Sequence, residues 1–311
     1  MKNKVSLGVV VTLMIIGGGL IMMNKEQSSK VKADSSVHEV SKRPSTVVGK
    51  LDIVTLYMND KYSGTTNSFV EGKEARTIRI WVPESYNPED TTKRYPVLYM
   101  HDGQNVFDDA TSFCGEWGVD ETITDLMNNK EYEGSIVVGI DNSDYREPEM
   151  KPTWDTEDSL ADRYSDFIVN TVKPYVDANY NTLTDAAHTG IGGSSMGGLI
   201  SFYMGMKHPE IFGYEVCFAP AFLFVTEEQI TSFMERHDIK NKTNPKIYMF
   251  CGGQDLDAQL YPYVEPVKNC IINNGYDSNL VTSYIDMSKG HNESAWREYF
   301  PQAYNWLLDI K

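Results

Sequence analysis

From about residue 49 onward, apolar runs of strand length alternate with segments of helical spacing. Thr77–Val82 (TIRIWV) sets Ile78, Ile80 and Val82 against polar or aromatic neighbours, the two-residue period of a half-buried strand. Pro96–Met100 (PVLYM) and Ser135–Ile140 (SIVVGI) are nearly unbroken apolar runs, as in strands covered on both faces. Gly118–Met127 and Leu160–Tyr180 carry helical spacing; in the second, Leu160, Tyr164, Phe167, Ile168 and Val172 fall on one face. A further strand leads into Gly190–Gly193, and a helix follows from Met196 to about His208. Strands at Phe212–Phe218, Lys246–Cys251 and Leu280–Ile285 come next, with helices near Tyr261–Asn273 and from Glu293. Alternation kept up to the end predicts an α/β fold, one domain over residues 49–311 with a mainly parallel central sheet and helices on both faces.

The chain has 311 residues, 41% hydrophobic and 23% charged, which excludes collagen-like, disordered and multi-span membrane classes. Its first residues differ from the rest. MKNK carries two lysines, Val5 to Met23 is uncharged, and the polar run NKEQSSK follows. That is the layout of an export signal, with small or apolar side chains at Val31 and Ala33 suiting cleavage after Ala33. The alternative is a retained membrane anchor, since the same stretch can just cross ~30 Å of hydrocarbon. Either way residues 1–33 place the folded part outside the cytoplasm, secreted or tethered. Residues 34–48 (DSSVHEVSKRPSTVV) are polar and aperiodic, and read as a flexible linker.

The formal charge is −16; without residues 1–33 the chain loses five lysines and one glutamate, and the charge becomes −20. Such a surface repels phosphate backbones, so a nucleic-acid partner is not expected. Export permits disulfides among Cys114, Cys217, Cys251 and Cys270, yet four cysteines cannot build a scaffold, and buried free thiols are the expectation. No metal-ligand cluster stands out, and no cofactor is expected.

The most informative stretch is Thr189–Leu199 (TGIGGSSMGGL), which contains Gly193-Ser194-Ser195-Met196-Gly197, a G-x-S-x-G between a predicted strand and a predicted helix. A serine on that sharp turn projects its hydroxyl above the sheet edge, and the residues two before and two after must be tiny. Centring on Ser194 would require glycine at 196, where Met stands, so Ser195 is the candidate nucleophile. The Met196 amide then sits at a helix N-terminus, placed to donate to an oxyanion.

A serine hydroxyl needs a base, and the base an orienting carboxylate; in this fold class the chain order is Ser, acid, His. Of the histidines after Ser195, His208 ends a helix, His237 lies in the charged run ERHDIK, and His291 follows Gly290 in a loop between a strand and the last helix. His291 is the candidate base. The acid is expected just past the strand at 246–251, in Gly252-Gly253-Gln254-Asp255-Leu256-Asp257, where Asp255 is first to clear the glycines and Asp257 is the reserve. The second oxyanion donor is expected from the loop after an earlier strand, in YMHDGQNVF at 99–107.

HDGQNVFD at 101–108, GEWGVDE at 115–121, IVVGIDN at 136–142, GIGGSSMGG at 190–198, CGGQD at 251–255 and Gly290-His291 together resemble the esterase D-like family of α/β-hydrolases. That family includes feruloyl and acetyl xylan esterases, enterochelin-type siderophore esterases, S-formylglutathione hydrolase and mycolyltransferases. The resemblance covers roughly residues 70–311 and is thinnest at 222–244. It implies Ser195 as nucleophile, His291 as general base and acid, Asp255 as orienting acid, and the backbone amides of Gln104 and Met196 as the oxyanion hole. His101 and Asp102 are expected to shape the loop rather than react. Trp117 reads equally as core or as substrate platform, and Trp154 is a candidate for substrate contact in the acidic stretch 141–163, which is expected to lie over the site. Arg146 and Glu147 resemble the family's R-x-x-E-like segment, without a role following from it.

Export and negative charge favour a neutral substrate: acyl or hydroxycinnamoyl (feruloyl, acetyl) esters of carbohydrate, or a small aromatic ester. The alternatives are a siderophore esterase or acyltransferase, and a catalytically inactive extracellular binding protein.

Overall fold

The computed structural model describes residues 43–58, 74–130, 132–154 and 159–310. The expected export segment and most of the expected linker lie outside them. The linker's last residues do not behave as a linker: Thr46 donates from its backbone to Asp108 at 3.2 Å and from its hydroxyl to Glu116 at 2.9 Å. The Val48 amide donates to Asp120 at 2.8 Å. The folded unit therefore begins at Pro44 rather than at 49. A polar stretch reads as free from composition alone, but here buried carboxylates from residues 108–120 supply its acceptors.

The chain runs through β1 (Lys50–Met58), β2 (Glu74–Val82), β3 (Val97–His101), α1 (Val119–Asn129), β4 (Ile136–Ile140), α2 (Arg146–Met150) and α3 (Leu160–Phe167). After α4 (Lys173–Asn179) come β5 (Thr189–Ser194), α5 (Met196–Lys207), β6 (Tyr214–Phe218), α6 (Glu227–Arg236), β7 (Lys246–Gly252), α7 (Asp257–Asn273), β8 (Val281–Asp286) and α8 (Glu293–Leu308). The predicted helix over 160–180 is α3 and α4 joined by a π turn at Ile168–Val172. Pro174, at the second position of α4, has no N–H for the Asn170 carbonyl, and the turn widens there. The apolar face of that segment is as expected, with Tyr164, Phe167, Ile168 and Val172 all buried.

The strands form one eight-stranded sheet in the order β1-β2-β4-β3-β5-β6-β7-β8. β1 and β2 are antiparallel to their neighbours; from β4 across to β8 every pairing is parallel. β1 was not foreseen: as an edge strand it leaves the apolar Ile53 and Tyr57 exposed while Val54, Leu56 and Met58 face the core, so apolar residues on both faces hide its two-residue period. β2, expected half-buried, is covered on both faces from Ile78 onward, because Arg79 is neutralised by a two-point bond to Asp141 at 2.7 and 2.9 Å. α5 packs on β5 and β6, and α8 on β6 and β7.

This strand order sets the site. The chain crosses from β3 to β4 in one direction along the sheet and from β4 to β5 in the other, and in such sheets ligands bind past the carboxyl ends of the strands at this reversal, here those of β3 and β5. The turns after β3, β5, β7 and β8 all emerge on that edge.

Candidate active site

Ser195 joins β5 to α5 with φ 58° and ψ −120°, a backbone conformation rarely adopted by a residue bearing a Cβ. Such strain costs about 1–3 kcal/mol and persists only where the surroundings impose it. Here its N–H donates to the Phe218 carbonyl at 2.9 Å, and its own carbonyl accepts from Leu199 and Ala221 at 3.1 and 3.0 Å. The expected need for tiny flanking residues is met: a Cβ on Gly193 would stand 3.0 Å from the Gly197 carbonyl carbon. Met196 is the first residue of α5, so its amide has no acceptor within the helix.

His291 Nδ1 lies 2.6 Å from Asp257 Oδ1. The sequence-based choice of Asp255 is thus corrected to Asp257. Asp255 clears the glycines first, as expected, but in a left-handed conformation (φ 54°) that swings it outward to an exposed position. A Cβ on Gly290 would strike its carboxylate, so Asp255 rests on the outside of the histidine loop. The turn is fastened by the amides of Gly253 and Gln254, which donate to the Lys289 carbonyl at 3.0 and 2.8 Å. The chain then re-enters as α7, whose first residue, Asp257, is fully buried and takes the Gly252 amide on Oδ2 at 2.9 Å. With one oxygen on Gly252 and the other on His291, Asp257 leaves Nε2 of the imidazole as the nitrogen free to exchange a proton.

The turn after β3 is a single 3-10 turn, Gly103–Asn105. Its internal bonds use the amides of Asn105 (to Asp102, 2.9 Å) and Val106 (to Gly103, 3.3 Å), so the Gln104 N–H is not consumed by the turn itself. Gly103 is obligatory there, since a Cβ would lie 2.5 Å from the Gly139 carbonyl carbon of β4. The shaping role expected of His101 and Asp102 is visible. His101 is buried with Nδ1 2.8 Å from the Tyr164 hydroxyl, and burial pushes its pKa down to about 3. Burial alone would raise the Asp102 carboxyl, but Arg146 and Asn142 outweigh it and hold it below its ordinary value. Arg146 meets Asp102 through Nε at 2.6 Å and Nη2 at 2.8 Å. Sequence reasoning left Arg146 without a role; the signal was its place past the end of β4, on the functional edge.

Neither tryptophan offered as a substrate contact is exposed; for Trp117 the core alternative is the one realised. Trp117 is 3% exposed and packs against Phe218, Trp296 and Phe300. Trp296 in turn stands edge-on to the His291 ring at 5.1 Å, so this aromatic row runs from Phe218 at the end of β6 to the histidine. Trp154 is 2% exposed among Phe202, Tyr203 and Phe233. Both are core residues. A large aromatic in a polar, motif-rich loop reads equally as platform or anchor, and only packing separates the two. Of the other late histidines, His208 closes α5 as expected, and His237, read only as part of a charged run, follows the last residue of α6, a helix not foreseen. All four cysteines are free thiols, Cys114 exposed and the others buried.

The family described as "Putative esterase" matches residues 71–307. An uncharacterized protein, YbbA, of Bacillus subtilis is 21% identical over 248 residues, covering 75% of this chain and 92% of that protein. An endo-1,4-beta-xylanase/feruloyl esterase of Xylanibacter ruminicola is 26% identical over 141 residues, covering 45% of this chain and 19% of that protein. Among solved structures, the siderophore hydrolase EstB of Aspergillus nidulans superposes with a TM-score of 0.60 at 17% identity, covering 83% of this chain and 96% of that one.

Proposed function

Because the chain belongs to this esterase family, of the esterase D-like α/β-hydrolase type, we propose that it is an exported serine ester hydrolase releasing acyl or hydroxycinnamoyl groups from carbohydrate. The observation that carries the mechanism is the bond of half-buried His291 to buried Asp257 on the same sheet edge as the strained Ser195 turn.

Ser195 Oγ attacks the ester carbonyl while His291 Nε2 takes its proton. Asp257 holds the imidazole by Nδ1 and stabilises the imidazolium that forms. The oxyanion accepts from the Met196 and Gln104 amides, each such donor being worth about 2.7–4 kcal/mol in the transition state. Collapse expels the alcohol, protonated by His291, and leaves an acyl-Ser195 ester. Water, activated by the same histidine, then releases the acid.

The substrate class rests on charge and address. A chain of −20 without residues 1–33 disfavours a polyanionic ferric trilactone and tolerates a neutral decorated sugar. Residues 1–33, read as an export signal or anchor, put the enzyme where such sugars are met. Hydrolysis of p-nitrophenyl acetate, methyl ferulate, acetylated xylan and a catecholate trilactone, each beside Ser195→Ala, tests the reading. Serine-dependent cleavage of ferulate or acetyl xylan is the expected result. Cleavage of the trilactone alone would overturn the substrate and keep the mechanism; activity surviving in Ser195→Ala would overturn the mechanism.

A further inference from the structure

Asp102 immediately precedes the Gly103-Gln104 amides and is itself left-handed, at φ 56° and ψ 47°. Nothing in its own turn enforces that conformation, since no side-chain bond caps the turn. What holds it is the loop after β4. Asp102 Oδ1 accepts from Arg146 Nε and Asn142 Nδ2 at 2.6 and 2.7 Å, and Oδ2 accepts from Arg146 Nη2 at 2.8 Å. A planar fork on one carboxylate fixes orientation as well as distance, which a lysine's point charge does not.

Arg146 is aimed from behind. It opens α2, a helix of five residues, too short to hold its own place. Three residues on, one turn along the same helix, Glu149 is 1% exposed and bonded to Arg76 of β2 at 2.7 and 3.2 Å, with the Ser143 hydroxyl at 3.1 Å. A continuous chain thus runs from Arg76 in the sheet through Glu149 and Arg146 to Asp102, ending one peptide short of the oxyanion turn. The far end of that turn is tied too: Asn105 takes the Phe113 amide at 3.1 Å and donates to Glu293 at 3.3 Å.

We propose that Arg146 is a positioning residue for ester cleavage, setting the Gln104 amide toward the developing oxyanion through its two-point bond to Asp102. The proposal rests on the Ser195 reading above. It also assigns the R-E-P-E segment at 146–149: Arg146 holds the oxyanion turn, and Glu149 holds Arg146.

The test is steady-state hydrolysis of p-nitrophenyl acetate by the full chain, its Arg146→Ala, Arg146→Lys and Asp102→Asn variants, and Ser195→Ala. Losing alignment rather than the donor itself should lower kcat in Arg146→Ala by about 10–100-fold, with KM within about threefold, and Arg146→Lys should fall between the two. The Arg146 side chain is 32% exposed, so millimolar guanidinium should reach the vacated place and restore activity to Arg146→Ala. It should do nothing for Ser195→Ala. An unchanged kcat in Arg146→Ala, a loss confined to KM, or a loss that guanidinium does not relieve would each overturn the proposal. If Arg146→Ala does not fold, the isosteric Asp102→Asn decides, by a fall in kcat or its absence. Activity persisting in Ser195→Ala would instead strike the underlying mechanism, whatever Arg146 does.

Discussion

Asp257 and His291 are 34 residues apart in the chain and 2.6 Å apart in space, while Asp255, two residues from Asp257, faces the other side of the same loop. Asp257 reaches the histidine because it opens α7, where its second oxygen also takes the Gly252 amide. The two carboxylates therefore give opposite expectations. Asp257→Asn should lower kcat by roughly 10³–10⁴-fold through the wrong imidazole tautomer. Asp255→Asn should stay close to wild type. Rates on p-nitrophenyl acetate decide it, and equal losses in both would remove the assignment.

Trp117 and Trp154 should behave as core residues. Replacing either by alanine removes a fully packed indole, and about 3–5 kcal/mol of stability should go with it. Chemical denaturation would measure this. A lowered stability with KM unchanged on methyl ferulate is the expected pattern, whereas a selective rise in KM without loss of stability would return them to the substrate.

A chain beginning at Arg43 should melt like one beginning at Asp34. A chain beginning at Gly49 should not, because it strips Asp108, Glu116 and Asp120 of the donors of Ser45, Thr46 and Val48. Each buried acceptor left unpaired costs about 1–3 kcal/mol. It also loses the Val48 carbonyl that accepts from Trp81 Nε1 at 2.5 Å. Thermal melts of the three chains are the comparison, and identical midpoints would show residues 44–48 to be a passive tail.

Asp120 adds a pH dependence of definite sign. Burial first, and Glu121 beside it, raise its carboxyl from an ordinary 3.8 to about 9. A folded state that keeps this proton binds more protons than the unfolded chain across that window, so this group's contribution to stability falls as pH rises. It is fully present below the unfolded value and lost as pH climbs through the folded one. Asp120→Asn should flatten this decline, seen as a smaller drop in melting temperature between pH 5 and pH 9 (about the width of the window). An equally steep profile in the variant would locate the dependence elsewhere.

Local pattern carried far in this chain, for reasons visible in particular residues. A Cβ at Gly193 would crowd the Gly197 backbone at 3.0 Å and one at Gly197 would crowd His101 at 3.2 Å, so small residues flank the turn and Ser195 could be read from spacing alone. His291 followed from chain order, and the alternation of buried strands such as Ile136–Ile140 with helical segments announced the α/β sheet. What composition and spacing did not carry were decisions made between distant segments. Whether Asp255 or Asp257 meets the histidine depends on one left-handed residue that sends the first carboxylate outward. Whether Trp117 lines a cleft or a core depends on Phe218, Trp296 and Phe300, up to 183 positions away. Whether residues 44–48 hang free depends on buried acids 62 to 72 positions on. Spacing determines what backbone sterics demand of neighbours; partners for charge and for packing are chosen only when the chain closes on itself.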